Sequence, residues 1–216
     1  MSDINGKLLI VSALECESKP IRKHYNLQRL ADKGPFRYYS CANKQISLIH
    51  SGVGSLAAAS ATSWAIGKIN APQELFCLNV GIAGGQHPLG SLFGIDKITE
   101  HASGTNYYPG LTHYSKLNSG AIVTHSKPST QYRPNQLMDM EAAGFYVAAS
   151  QFVPHAQISL LKIISDNDDE SRSQISSKRV AGYIEHNMPE ISQHCSRLIK
   201  ASSQLFSDTL DQRDLS

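Results

Sequence analysis

Three stretches of this chain are apolar almost without a break: residues 7–13 (KLLIVSA), 75–80 (LFCLNV) and 158–165 (ISLLKIIS). Each is too short for a core helix, and none alternates polar with apolar. A strand reads this way when both of its faces are covered. Helices must then lie on both sides of the sheet, and the intervening segments supply them. Residues 55–69 (SLAAASATSWAIGKI) are Ala-rich and read as a helix, as do 177–186 and 189–206. After the first strand, ESKPIRKHY reads as a helix with Ser18 at its N-cap and Pro20 in its first turn. FRYYSC and KQISLIH read as a hairpin turning at Ala42–Asn43, and residues 94–101 read as a further strand. Residues 102–135, rich in Ser, Gly, Thr, Asn and Pro, read as loop with one short strand at 121–124. The expectation is one α/β domain over residues 1–208, with a mixed, largely parallel central sheet flanked by helices. A polar tail at 209–216 follows, expected to be frayed.

Composition narrows the class of partner. With 41% hydrophobic and 18% charged residues, the chain is globular and not disordered. A net charge of +2 with no Lys/Arg block argues against nucleic acid as a partner. Cys16, Cys41, Cys77 and Cys195 are scattered, with no CxxC pair, as expected of reduced thiols in a cytoplasmic protein. The N-terminal MSDINGKLLIVSA lacks a basic segment followed by a long apolar run, so a signal peptide is not expected, and no apolar run reaches membrane-spanning length. A membrane partner is therefore not expected.

In sheets of this kind, sites form beyond the carboxyl ends of the strands. Glu15 and Glu17 follow the first strand, SGVG (51–54) a later one, GIAGG (81–85) the next, and Asp166 ends ISLLKIIS. A helix over 139–151 adds Glu141. At helical spacing Met138, just before it, and Ala142, Phe145 and Ala149 form an apolar stripe, and Glu141 points along it. A carboxylate facing the core must have a partner, because an unpaired one there is strongly destabilising. Read singly, the other features have plainer explanations. Glycines after strands make tight turns, Asp166 suits a cap, and Glu17 suits a solvated helix N-terminus.

Other chemistries fail on spacing. SGVGS is not GxGxxG and no Walker lysine follows it, although its N–H groups suit an anion at a helix start. GIAGG lets the chain pass flat against a planar ligand. The acidic run DNDDE has Ser171 and Ser177 where a calcium loop needs Gly and Glu. The nine histidines show no HxxxH or HxH spacing, and there is no GxSxG elbow. Neither a metal nor an organic cofactor is expected.

Taken in order, SALECES, SGVGSLAAA, LNVGIAGG, MDMEAAG and LLKIISD resemble segments of the nucleoside phosphorylase/nucleosidase family. The likeness is strongest to the methylthioadenosine/S-adenosylhomocysteine nucleosidase branch and covers residues 8–166. The resemblance implies that Met140 and Glu141 contact a ribose, with the Glu141 carboxylate accepting from the sugar hydroxyls. It implies that Asp166, oriented by Ser165, protonates a departing purine, and that Glu17 handles the attacking water. Ala83 and Gly84 would lie against the base or sugar, with Ile82 and Lys162 beside the site. The phosphorylase branch carries a Gly-Asp-Pro-x-Arg phosphate loop where this chain has Ala-Leu-Glu-Cys-Glu, so hydrolysis is favoured. Departures are Ile82 in place of Ser, Lys162 in place of Arg, and a shorter region over 85–137. Tyr107, Tyr108 and Pro109 are candidates for a loop covering the ligand. The implied activity is hydrolysis of an adenosine-type (thio)nucleoside by a homodimer. The alternatives are phosphorolysis, a non-catalytic nucleoside binder, or a relative acting on another compound, such as a hopanoid-linked phosphorylase or a futalosine hydrolase.

Overall fold

The computed structural model describes residues 7–31, 34–43, 45–69, 72–110, 117–168 and 175–213. The first half runs β1 (Leu8–Ser12), α1 (Glu15–His24), β2 (Gln28–Arg29), β3 (Arg37–Ser40), β4 (Ile46–His50), α2 (Ser55–Ile66) and β5 (Phe76–Gly84). The second runs β6 (Leu92–Glu100), β7 (Asn106–Tyr107), β8 (Asn118–Thr124), β9 (Gln136–Asp139), α3 (Ala142–Ala149), β10 (Ile158–Asp166), α4 (Ser177–His186) and α5 (Met188–Arg213).

The ten strands of the described residues belong to one mixed sheet. β1 pairs in parallel with both β4 and β5, and β5 pairs in parallel with β10. β10 then meets β6 antiparallel, while β6, β8 and β9 run parallel to one another. β9 returns to β5 where Met138 bridges Gly84. Strands β5, β10, β6, β8 and β9 thus close on themselves, and β4, β3 and β2 extend from β1 as an open wing ending in the expected hairpin.

The apolar runs face both ways. From β1, Leu9 and Val11 join Ala58, Ala61 and Ala65 of α2 and Ala142, Phe145 and Ala149 of α3 in one core. Leu8 and Ile10 join Ile21 of α1, Ile184 of α4 and Ile191 and Leu198 of α5 in the other. The period-two alternation of a strand delivers both sets, so both faces of the run are predominantly apolar. Among the described residues no helix is long and apolar enough to cross a membrane.

Several boundaries differ from the sequence reading. α1 starts at Glu15 with Leu14 at its N-cap, so Ser18 lies inside the helix and its hydroxyl donates to the Glu15 carbonyl. GIAGG is not a loop: β5 continues through Gly84 because β10 pairs alongside it to the end. The helix expected over 139–151 is shorter, and Leu137–Asp139 is strand. Asp139 sets the break, since its Oδ2 accepts from the Ala142 N–H at 2.8 Å and caps α3. Within 102–135, β8 begins at Asn118 and β7 pairs with β6. α5 runs on to Arg213. Asp169 and Glu170 of the acidic run, the Ser171 that follows it, and the last three residues of the tail lie outside the described residues.

Candidate active site

Glu17 sits in the first turn of α1 and turns back toward the end of β1. Its Oε2 accepts from the N–H groups of Ala13 and Leu14, at 2.9 and 2.7 Å. Its Oε1 accepts from the Ile82 N–H at 2.9 Å. Gly81 makes room for it, because a Cβ there would lie 3.0 Å from Oε1. Burial raises the Glu17 pKa to about 7; N–H donation from Leu14 and Ile82 and the charge of Lys162 pull it down, and the Glu141 charge pushes it up. The folded state therefore holds a proton that the unfolded chain releases near its ordinary 4.5. That contribution to stability is complete below about 4.5 and is lost as pH rises through about 7. The thermal midpoint should fall across this window, and Glu17→Gln should flatten the decline. An equal decline in the variant would sink the assignment.

Glu141 is the N-cap residue of α3 and is 8% exposed, so it belongs neither to a helical stripe nor to solvent. Its Oε1 accepts from the Gly54 N–H, at 2.8 Å, at the start of α2. The anion suited to the SGVGS amides is thus a carboxylate of the protein itself. Gly54 has φ of +104°, a left-handed value that glycine tolerates. Gly144 allows the two helices to approach: a Cβ there would overlap the Ser55 carbonyl. Burial and the neighbouring Asp139 raise the Glu141 pKa, against Lys162 and the Gly54 and Met140 amides.

Lys162 explains why a lysine stands in the apolar run ISLLKIIS. Its strand parity matches Ile158, Leu160 and Ile164, on the side of α2 and α3. Only 1% exposed, it makes a 2.8 Å ion pair with Asp139 Oδ2. Burial pulls its pKa down, but Asp139, Glu141 and Glu17 together hold it above the ordinary lysine value. Asp139 is also held by the Thr124 hydroxyl at 2.8 Å. One cation thus stands among three carboxylates.

Asp166 ends β10. Its Oδ1 accepts from the Ser165 hydroxyl at 2.5 Å, and its Oδ2 accepts from the Tyr132 phenol at 2.6 Å. Tyr132 lies over Gly84, where an added Cβ would sit 2.7 Å from its ring. Ser165 also approaches the Ala83 carbonyl at 3.4 Å.

A single cavity of about 70 Å³ is walled by Glu17, Glu141 and Asp166, with Ser165, Met140 and the β5 residues Ile82, Ala83 and Gly84. Lys162 does not line it: it stands behind the wall, and its partner Asp139 lines the cavity instead. Tyr107, Tyr108 and Pro109 do not line it. Tyr108 is 61% exposed, and the Tyr146 hydroxyl donates to its carbonyl. The cover comes from Lys127, Pro128 and Ser129. Glu15 points outward, to Arg22, Arg37 and His50. Asp139 and Tyr132 were not read from the sequence. For Asp139 the signal was its position three residues before the helix start; for Tyr132 there was none.

No family model and no curated protein matches the chain. Solved structures do. The 5′-methylthioadenosine/S-adenosylhomocysteine nucleosidase of Campylobacter jejuni aligns with TM-score 0.74 and 16% identity, over 88% of this chain and 99% of its own. That of Neisseria meningitidis, solved with methylthio-immucillin-A, aligns with TM-score 0.69 and 19% identity, over 92% and 99%. The futalosine hydrolase of Helicobacter pylori aligns with TM-score 0.66 and 15% identity, over 93% and 98%. At these TM-scores, over most of both chains in each case, the protein has the fold of these nucleosidases.

Proposed function

We propose that this protein is a purine-nucleoside N-glycosidase that hydrolyses an adenosine-type (thio)nucleoside to free base and sugar. The observation that supports it most is the meeting of Glu17, Glu141 and Asp166 on one cavity, from three elements far apart in the chain. Breaking a glycosidic C–N bond asks for an acid at the base, negative charge near a sugar that becomes cationic, and a held water. In this reading Asp166 protonates the base and Ser165 fixes its orientation. Glu141 and Met140 hold the ribose, and Glu17 takes the proton of the attacking water. Ile82, Ala83 and Gly84 form the floor under base and sugar, while Lys162 sets the charge balance through Asp139. The N. meningitidis relative in complex with a methylthio-immucillin supports an adenosine-like ligand, and the futalosine hydrolase a different one. Neither a metal nor an organic cofactor has a part in this reaction.

The excess of carboxylate favours water over phosphate as nucleophile, because a phosphate entering here meets like charge. A panel of purine nucleosides, incubated with and without phosphate, tests this directly. Free base should appear at the same rate in both, with no sugar 1-phosphate. Release that requires phosphate would make the protein a phosphorylase, and ligand-induced thermal stabilisation with no release would make it a binder. We also propose a cytoplasmic homodimer. Four free thiols are in keeping with the compartment. Leu56 of α2 and Val147 of α3, both exposed, offer apolar surface to a second copy.

A further inference from the structure

Beside the cavity lies a second pocket, of about 360 Å³, that the proposed reaction does not use. Its walls include Thr99, His101, His125, Gln131, Arg133 and Gln136. Ser129 and Met138 line both spaces, so the two adjoin. The imidazoles of His101 and His125 lie together, ring centroids 4.3 Å apart and planes inclined by 31°. Their backbones are pinned: His101 N–H donates to the Thr124 carbonyl at 3.0 Å, and His125 N–H to that of Asp139 at 2.8 Å. Among the described residues, the side chains of His101, His125 and Arg133 have no hydrogen-bond or ion-pair partner. Three nitrogen-rich groups thus converge on an open space with their donors uncommitted.

The chemistry of the walls selects the occupant. A cation does not fit, because Arg133 repels it and no third ligand joins the two histidines among the described residues. Oxyanions fit, since a guanidinium forks onto phosphate or carboxylate and imidazole supplies further N–H donors. The nearby carboxylate of Asp139 does not cancel this field, because Lys162 already neutralises it at 2.8 Å. Burial and the charges of His101 and Arg133 hold the His125 pKa down, and Asp139 pushes it up. A bound anion relieves that crowding of positive charge.

We propose that this pocket binds a small oxyanion, a phosphate or carboxylate group, gripped by Arg133, His101 and His125. The proposal stands on the pocket alone and holds whether or not the neighbouring cavity hydrolyses nucleosides. The oxyanion arrives either free or as a substituent of the nucleoside beside it. Titration calorimetry of the whole protein with inorganic phosphate, sulfate, adenosine and adenosine 5′-monophosphate separates these sources. A free ion gives saturable phosphate and sulfate binding; a tethered one gives tighter binding of the monophosphate than of adenosine. In either case Arg133→Ala should weaken the oxyanion-dependent binding about tenfold, the loss of one charge-assisted contact. Arg133 is exposed, so the variant keeps its fold. His125→Gln should reduce the tightening of sulfate between about pH 7 and about pH 5, where sulfate keeps its charge and an imidazole held below its ordinary pKa gains one. The inference is overturned if neither free ion binds and the monophosphate gains nothing over adenosine. It is equally overturned if binding survives both substitutions unchanged.

Discussion

Asp166→Asn should abolish release of free base while leaving nucleoside binding largely intact. The expected fall in kcat is roughly 10²–10⁴-fold, the contribution of one placed general acid. Its size follows from what the side chain does at the end of β10. A purine leaves readily only when it takes a proton as the C–N bond breaks. Ser165 fixes Oδ1, so Oδ2 is the oxygen available to a base, and it is at present held by the Tyr132 phenol. A bound base must take the place of that phenol. Asparagine fills the same volume and can still hydrogen-bond, but it has no proton to transfer. Rapid-quench measurement of base release, set beside equilibrium binding of the same nucleoside, separates the two effects. Full turnover by the variant would remove Asp166 from the chemistry. Loss of binding in step with turnover would make it a binding residue only.

How much of this was legible in the sequence depended on how local the cause was. The both-face burial of β1, β5 and β10 and the helix α2 were readable because unbroken apolar runs and an Ala-rich segment have few alternatives. α4 occupies the same bounds, Ser177–His186, that its sequence suggests. The closing of β5, β10, β6, β8 and β9 on themselves was not legible, because it rests on one long-range meeting of Met138 with Gly84. The segment at Glu141 was misread for a related reason. Its apolar residues fit a helix, but pairing of Leu137 with Ile122 and capping by Asp139 make it strand and then helix. The puzzle of an inward-pointing acid was real, and its partners proved to be the Gly54 amide and the charge of Lys162. Tyr132 sits in a stretch with no periodicity, so nothing local announced that it would reach Asp166.

Lys162→Met should destabilise the fold by about 3–5 kcal/mol at neutral pH, the loss expected when one member of a buried ion pair is removed. Methionine matches the length and packing of the lysine stem, so the change isolates the charge. Without the ammonium, Asp139 keeps its Thr124 and Ala142 hydrogen bonds but loses its counter-charge. Glu17 and Glu141 lose the one influence of opposite charge acting on them, so their raised pKa values rise further. A carboxylate whose folded pKa goes up is stabilised by taking a proton, so the deficit should shrink as pH falls below about 7 and widen above it. Urea unfolding of parent and variant at several pH values measures this. A deficit under about 1 kcal/mol, the range of an exposed pair, would mean that the lysine does not hold the carboxylates together. A large but pH-independent deficit would assign its role to packing. The expected outcome ties the inner charge cluster to the cavity it borders: the same lysine that allows three acids to be buried at this end of the sheet keeps Glu17 within reach of ionisation near neutral pH.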